Sequence, residues 1–183
     1  QLFQFAIMGA QLTSAVKNKD NPTIALLNIG EENIKGNDRV KQAATLLEES
    51  HLNYVGYVEG NNLYTGDVDV IVCDGFVGNV AIKTSEGVAS FLRHHVNKAF
   101  MSNIYSRFAA LIAMPVLKSL ESKIDPKRYN GASLLGLRGI VIKSHGGAER
   151  VSFATAIDEA IIEVKNNIPE RINEKLEQLL IDR

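Results

Sequence analysis

The sequence predicts an α/β fold in which helices cover a parallel sheet, and three observations lead there. Thr23–Asn28 (TIALLN) is a short, almost wholly apolar segment, the composition of a strand buried on both faces, as in parallel sheets. Further strand-like runs at Leu52–Val58 and Val68–Cys73 follow it, with helical periodicity between the first two. Polar glycine turns come directly after these apolar runs, as they do where a strand hands over to a helix.

Each element has its own signal. Gln1–Lys17 is helical, with Leu2, Phe5, Ile7, Met8, Leu12 and Val16 apolar, and polar Asn18–Asn21 and Pro22 end it. Ile29–Asn37 is a Gly-bounded polar loop. Asp38–Ser50 is a helix with Val40, Ala43, Ala44 and Leu47 on one face. Glu59–Asp67 is rich in turn residues. Gly75–Asn79 reads as a glycine turn opening a long helix from Val80 to about Lys98, and a second helix covers roughly Ser102–Ser122. Ile124–Leu137 reads as an irregular loop, Gly139–Lys143 as a fourth strand and His145–Ala148 as another glycine turn. Helices at Ala148–Asn167 and Pro169–Leu180 follow, the second with proline in its first turn.

With 183 residues, 45% hydrophobic and 22% charged, the chain fits one domain of ordinary size with a real core. No repeat or low-complexity tract interrupts it. A formal charge of −1 and a pI near 6.5 give no electrostatic footprint for nucleic acid. The lone Cys73 rules out an intramolecular disulfide and a Cys-based zinc cluster, which fits a reducing cytoplasm. Gln1–Ala10 lacks the basic start of a signal peptide. The first residue is not Met, so a fragment or a processed chain is expected. Phe108–Leu117, the longest apolar run, has ten residues and contains Pro115, against about 20 for a membrane-spanning helix.

Three turns can carry chemistry. They are Asn28-Ile29-Gly30-Glu31-Glu32 with Lys35-Gly36-Asn37, then Asp74-Gly75-Phe76-Val77-Gly78-Asn79, then Lys143-Ser144-His145-Gly146-Gly147. Ligands of open α/β sheets bind outside the carboxyl ends of strands, so the three turns are expected to converge on one cleft. Glycine permits close backbone approach, and helix N-termini supply N–H donors for anions. With Lys, Asn and His interleaved, the set points to a phosphate-bearing ligand. Neither the Walker nor the dinucleotide glycine pattern is present.

Lys35, beside a strand end, can hold a phosphate or polarise a carbonyl. Asn79 can donate to an oxyanion, or cap a helix, and the two roles are compatible. Lys83 lies one helical turn beyond Asn79 and can face the same cleft. His145 can serve as a general base, as a phosphate ligand, or only as a bond within its own turn. Cys73 ends a buried apolar strand and reads as core rather than as nucleophile. In the second long helix Met101, Ile104, Tyr105, Phe108, Leu111, Ile112 and Leu117 make a broad apolar stripe. A subunit interface explains it best, and an interfacial membrane contact is compatible with that.

Taken together, Leu26–Asn37 (LLNIGEENIKGN), Val68–Val80 (VDVIVCDGFVGNV), Lys83–Gly87 (KTSEG), Tyr129–Leu137 (YNGASLLGL) and Gly139–Gly146 (GIVIKSHG) resemble, in order and spacing, the bacterial PlsX family of acyl-carrier-protein:phosphate acyltransferases. The resemblance spans essentially the whole chain. It implies a three-layer α/β/α sandwich like that of the isocitrate and isopropylmalate dehydrogenases, with a projecting helical hairpin at residues 80–122 that makes dimer and membrane contacts. It further implies that the chain is the C-terminal portion of a longer enzyme, whose N-terminal half begins with a glycine- and aspartate-rich motif absent here.

The implied reaction moves a fatty acyl group from acyl-acyl-carrier-protein to inorganic phosphate, giving acyl-phosphate for a membrane glycerol-phosphate acyltransferase. The implied protein is a homodimer, cytoplasmic or peripheral at the inner face of the membrane, with no cofactor and no metal. Lys35 and Asn79 match the family's active-site candidates. Asn28, Gly30, Glu31, Gly75, Gly78, Lys83, Lys143, His145 and Gly146 are the accompanying phosphate- and substrate-binding candidates. The rival readings are a short-chain phosphotransacylase using coenzyme A and a non-catalytic module for dimerisation and membrane docking. A dehydrogenase ranks last, because the nucleotide fingerprint is missing.

Overall fold

The fold is organised around one central helix, α1 (Leu2–Lys17), followed by a short parallel sheet. The computed structural model describes residues 1–124 and 131–181, and over them the protein is α/β, with six helices, a three-stranded parallel sheet and a two-stranded ribbon. Strand β1 (Ile24–Leu27) lies in the middle, flanked by β2 (Tyr54–Val58) and β3 (Val70–Val72), both parallel to it. Ile24, Ala25 and Leu26 are all fully buried, as expected for the central strand of a parallel sheet.

Helix α2 (Asp38–Glu48) carries the crossover from β1 to β2, the connection that parallel neighbours require. Asn37 caps it, its side chain accepting from the Val40 amide at 3.0 Å. Val40, Ala43, Ala44 and Leu47 of α2 join Leu2, Phe3, Ala6, Ile7 and Ala10 of α1 in one core with Ile24, Leu26 and Val72 of the sheet. Gly9 lets α1 come this close, since a β-carbon there would lie 2.8 Å from the Val70 side chain. Helices α1 and α2 touch each other as well as the sheet, α1 on β3 and α2 on β2. They therefore share one face. Val55 of β2 stays exposed.

α1 is buried on a second side too. Met8 packs with Ile168 and Ile172 of α6 (Ile168–Ile181), and Leu179 of α6 enters the main core. Helix α5 (Arg150–Lys165) also packs on α1. Between α1 and β1, Asp69 ties the connection to the sheet. Its carboxylate accepts from the Thr23 amide at 2.9 Å, from the Thr23 hydroxyl at 2.8 Å and from the Lys19 ammonium.

Helices α3 (Gly75–Phe100) and α4 (Ile104–Ile124) pair with each other. The turn joining them is closed by Ser102, which donates to the Ala99 carbonyl at 2.7 Å, and by Asn103, which accepts from the Ser106 amide at 2.9 Å. Pro115 lies inside α4 and has no N–H to offer the Leu111 carbonyl one turn back. No residue of α3 is buried, and Phe91, Phe108, Leu111 and Ile112 are strongly exposed. Among the described residues no helix is long and apolar enough to cross a membrane.

Two expectations need correction. The segment read as an irregular loop, Ile124–Leu137, contains a strand, β4 (Ala132–Ser133), and the fourth strand shrinks to β5 (Ile142–Lys143). These two pair antiparallel, outside the parallel sheet, and the Leu134 amide extends their ladder to the Val141 carbonyl at 2.9 Å. The physical reason is the glycine-bounded turn between them. Gly136, at φ +84°, allows a reversal, and a reversing connection makes neighbours antiparallel. Residues 125–130 of the loop reading, with Tyr129 and Asn130 of the matched motif, lie outside the described residues. The second correction concerns α3, which begins at Gly75 rather than Val80. Asp74 caps it, its side chain accepting from the Val77 amide at 2.9 Å.

Candidate active site

The turn after β1 is built around a buried amide. Asn28 is only 8% exposed, and its side-chain NH2 donates to the Gly30 carbonyl at 3.0 Å and to the Lys35 carbonyl at 3.3 Å. One side chain therefore holds both ends of the loop. This is a structural task, and it engages the Asn28 side chain within the loop.

Above that base, Lys35 folds back over Gly30. A β-carbon on Gly30 would fall 2.2 Å from Lys35 Cδ and 2.7 Å from both Lys35 Nζ and a Glu32 carboxylate oxygen. The lysine and glutamate ends thus fill the space that a side chain at Gly30 would take. The ammonium meets the Glu32 carboxylate at 2.9 Å, while the Lys35 amide donates to the Glu32 carbonyl, also at 2.9 Å. Hydrogen bonding to Glu32, and then its charge, hold the Lys35 ammonium above its ordinary pKa, and Lys35 pulls the Glu32 carboxyl down in turn. Sequence reading selected Glu31 and passed over Glu32. The spacing of three residues to Lys35 was the available signal, since residues so placed in a turn can meet.

The turn after β3 leaves the same end of the sheet, because β1 and β3 are parallel neighbours in register, Leu26 opposite Val72. Here Asn79 does not cap the helix. Asp74 does, which leaves Asn79 exposed on the second turn of α3. A β-carbon on Gly78 would come 3.0 Å from Cys73 Sγ, so glycine gives the thiol its space. Burial, and then the charge of Asp74, push the Cys73 thiol up from its ordinary pKa. This disfavours the thiolate that nucleophilic attack would need. A β-carbon on Gly75 would meet open space.

Lys83, further along α3, binds Glu86 at 2.8 Å. The Glu86 carboxyl is held low chiefly by that bond, with a smaller effect from the charge of His145. In its own turn His145 Nδ1 accepts from the Gly147 amide at 3.2 Å, so the bond within the turn is made. Lys143, His145 and Gly146 are all exposed.

The expectation that three turns follow three strands of one sheet is thus corrected. Two leave adjacent parallel strands, whereas the third leaves the antiparallel ribbon because β5 pairs with β4. The helix N-termini are also less open than expected, since Asn37 and Asp74 each occupy a first-turn amide.

The fold and this end of the sheet define an α/β protein with a lysine-bearing, glycine-lined turn at the carboxyl edge of parallel strands. The sequence model of the family described as "Fatty acid synthesis protein" matches residues 1–171. The chain is 56% identical over 179 residues to the phosphate acyltransferase of Nitrosococcus oceani, covering 98% of this chain and 53% of that protein. It is 54% identical over 182 residues to the phosphate acyltransferase of Methylococcus capsulatus, covering 100% of this chain and 54% of the relative. With the phosphate acyltransferase of Legionella pneumophila the identity is 56% over 180 residues, 98% of this chain and 53% of the relative. The chain belongs to this fatty acid synthesis protein family, the PlsX family of the resemblance. It spans about half the length of the curated relatives it matches.

Proposed function

We propose that this chain is the C-terminal portion of an enzyme that transfers a fatty acyl group from acyl-acyl-carrier-protein to inorganic phosphate. The observation that carries the reading is Lys35 folded over Gly30 at a strand end, in a chain more than half identical to proteins named phosphate acyltransferase. A phosphate oxygen attacks the thioester carbonyl carbon, a C–O bond forms and the C–S bond breaks. The products are acyl-phosphate and the free thiol, which takes up the proton that phosphate gives up. Lys35 binds the phosphate, and Asn79 donates to the oxyanion that develops on the carbonyl oxygen.

Holding both reactants side by side supplies much of the rate, because a bimolecular step becomes effectively unimolecular. Cys73 takes no part, in keeping with its raised pKa. Gly75, open to solvent, allows close approach, Gly30 and Gly78 lie beside the Lys35 and Cys73 side chains, and Glu31, Lys83, Lys143, His145 and Gly146 line the substrate path. Asn28 contributes by holding the loop. Completed to full length, the protein forms a three-layer α/β/α sandwich of the dehydrogenase-like kind, and the open face at Val55 supports a further layer there. The exposed apolar residues of α3 and α4 support a homodimer that also touches the membrane from the cytoplasmic side, where acyl-phosphate passes to a membrane glycerol-phosphate acyltransferase.

The test is acyl-phosphate formation by the protein completed to the length of its relatives, with Lys35→Ala, Asn79→Ala and Cys73→Ala compared. Turnover is expected to fall at least tenfold in the first two and to persist in the third. Unchanged turnover in both of the first two overturns the site. Acetyl-CoA offered in place of long-chain acyl-carrier-protein is expected to react poorly, and preference for it would instead identify a short-chain phosphotransacylase.

A further inference from the structure

The turn after β1 already contains an anion at the lysine. Glu32 places a carboxylate oxygen 2.9 Å from Lys35 Nζ, and both groups lie 2.7 Å from the point where a β-carbon on Gly30 would stand. The backbone beneath them is fixed at both ends by Asn28. The Glu32 side chain is 60% exposed, so it can swing into water without burying anything or moving the loop.

Resting on the reading of Lys35 as the phosphate ligand, we propose that Glu32 is a specificity-determining residue that holds the anion position at Lys35 and yields it to phosphate. A carboxylate carries one charge and phosphate up to two at neutral pH. An incoming dianion gains more from the ammonium than the carboxylate loses, whereas a monoanion gains no advantage over the group already there. Glu32 thereby screens Lys35 from the monoanions that outnumber phosphate in a cell. Once displaced, its carboxylate stays in solvent, where separation from the bound phosphate limits their repulsion. Glu59 makes a useful comparison. Its charge is also felt at Lys35, yet it is only a minor influence there and makes no hydrogen bond to the ammonium.

The experiment measures steady-state kinetics of acyl-phosphate formation in the protein completed to full length, with inorganic phosphate as the varied substrate and nitrate as the monoanionic inhibitor. Glu32→Gln is expected to lower KM for phosphate about two- to fivefold, the scale of releasing one exposed ion pair. The same variant is expected to make nitrate inhibition stronger by a similar factor and to leave kcat and KM for the acyl donor unchanged. Glu32→Asp is expected to return toward the parent behaviour, and Glu59→Gln to change KM for phosphate less than Glu32→Gln does.

A KM for phosphate that stays level or rises in Glu32→Gln overturns the proposal. So does an equal effect of Glu59→Gln, which would reduce Glu32 to general charge, or a collapse of kcat alone, which would make it catalytic. Lys35→Ala separates the two readings. If it leaves KM for phosphate unchanged, the assignment of Lys35 itself falls; if it raises KM while Glu32→Gln does nothing, only the role of Glu32 falls.

Discussion

The side-chain oxygen of Asn28 lies 2.2 Å from the point where a β-carbon on Gly36 would stand, and Gly36 holds φ at +89°. Two independent penalties thus guard one position, a collision with a buried side chain and a backbone conformation that L residues rarely adopt. Gly36→Ala is expected to lower unfolding stability by about 1–3 kcal/mol, the cost of such a backbone state in a non-glycine residue. Urea unfolding checks this. Amide exchange at Glu32–Lys35 should accelerate as well, because the Asn28 bonds would be broken by the same substitution.

Asp69 gives a pH prediction. Its carboxyl is held well below the usual range, first by the hydrogen bond from Lys19 and then by the Thr23 amide and hydroxyl. A carboxyl with a lowered folded-state pKa favours folding above its unfolded value, about 3.9, and loses that contribution as pH falls toward its folded value. The thermal midpoint of the parent protein is therefore expected to drop on acidification below about pH 4. Asp69→Asn should flatten that part of the profile while lowering the midpoint at neutral pH.

Tyr54 predicts a gain. Among the described residues its buried hydroxyl has no hydrogen-bond partner, and burial, then the charges of Tyr57 and Glu48, push its pKa upward. A buried polar atom without a partner carries a desolvation cost that phenylalanine avoids. Tyr54→Phe is expected to raise stability by about 1 kcal/mol, read from the urea midpoint at constant m-value. A loss of stability would mean that the hydroxyl has a partner in solution.

Cys73 predicts slow chemistry. With its thiol pKa raised by burial and by Asp74, less thiolate is present at neutral pH than on a free cysteine. Iodoacetamide should label it more slowly than it labels glutathione at pH 7.5, and the rate should keep rising through the pH range where the glutathione reaction levels off. Gly78→Ala, which crowds Sγ at 3.0 Å, should slow labelling further.

Much of the sheet was legible because its apolar runs have one physical explanation. Ile24-Ala25-Leu26 can be satisfied only between two covered faces or two neighbouring strands, and all three are buried. The helices α1 and α2 were equally plain from spacing. The ribbon of β4 and β5 was not, because two-residue strands carry no periodicity and Gly136 looks like any loop glycine. The start of α3 was missed because Gly75 and Gly78 argue for a turn by propensity, while Asp74 and the Val77 amide form a cap that outweighs it. At the candidate site the lysine was legible and its partner was not. Glu31 and Glu32 are alike in composition and differ only in spacing, four and three residues from Lys35, and the fold of the loop selects the three-residue pair. The role of Asn28 was hidden for a similar reason, since a polar residue at a strand end looks like a ligand donor until its amide is seen bonded beneath the loop.

The position of α1 has a bearing on how the protein is made. Leu2 and Leu179, near opposite ends of this sequence, share one hydrophobic cluster, and Met8 waits on Ile168 and Ile172 for its second side of cover. During synthesis α1 emerges long before α6, so the contacts between them form late. Contacts this distant in sequence slow folding. The sheet and α2 can assemble while translation continues, but the packing of α6 on α1 has to wait until α6 arrives.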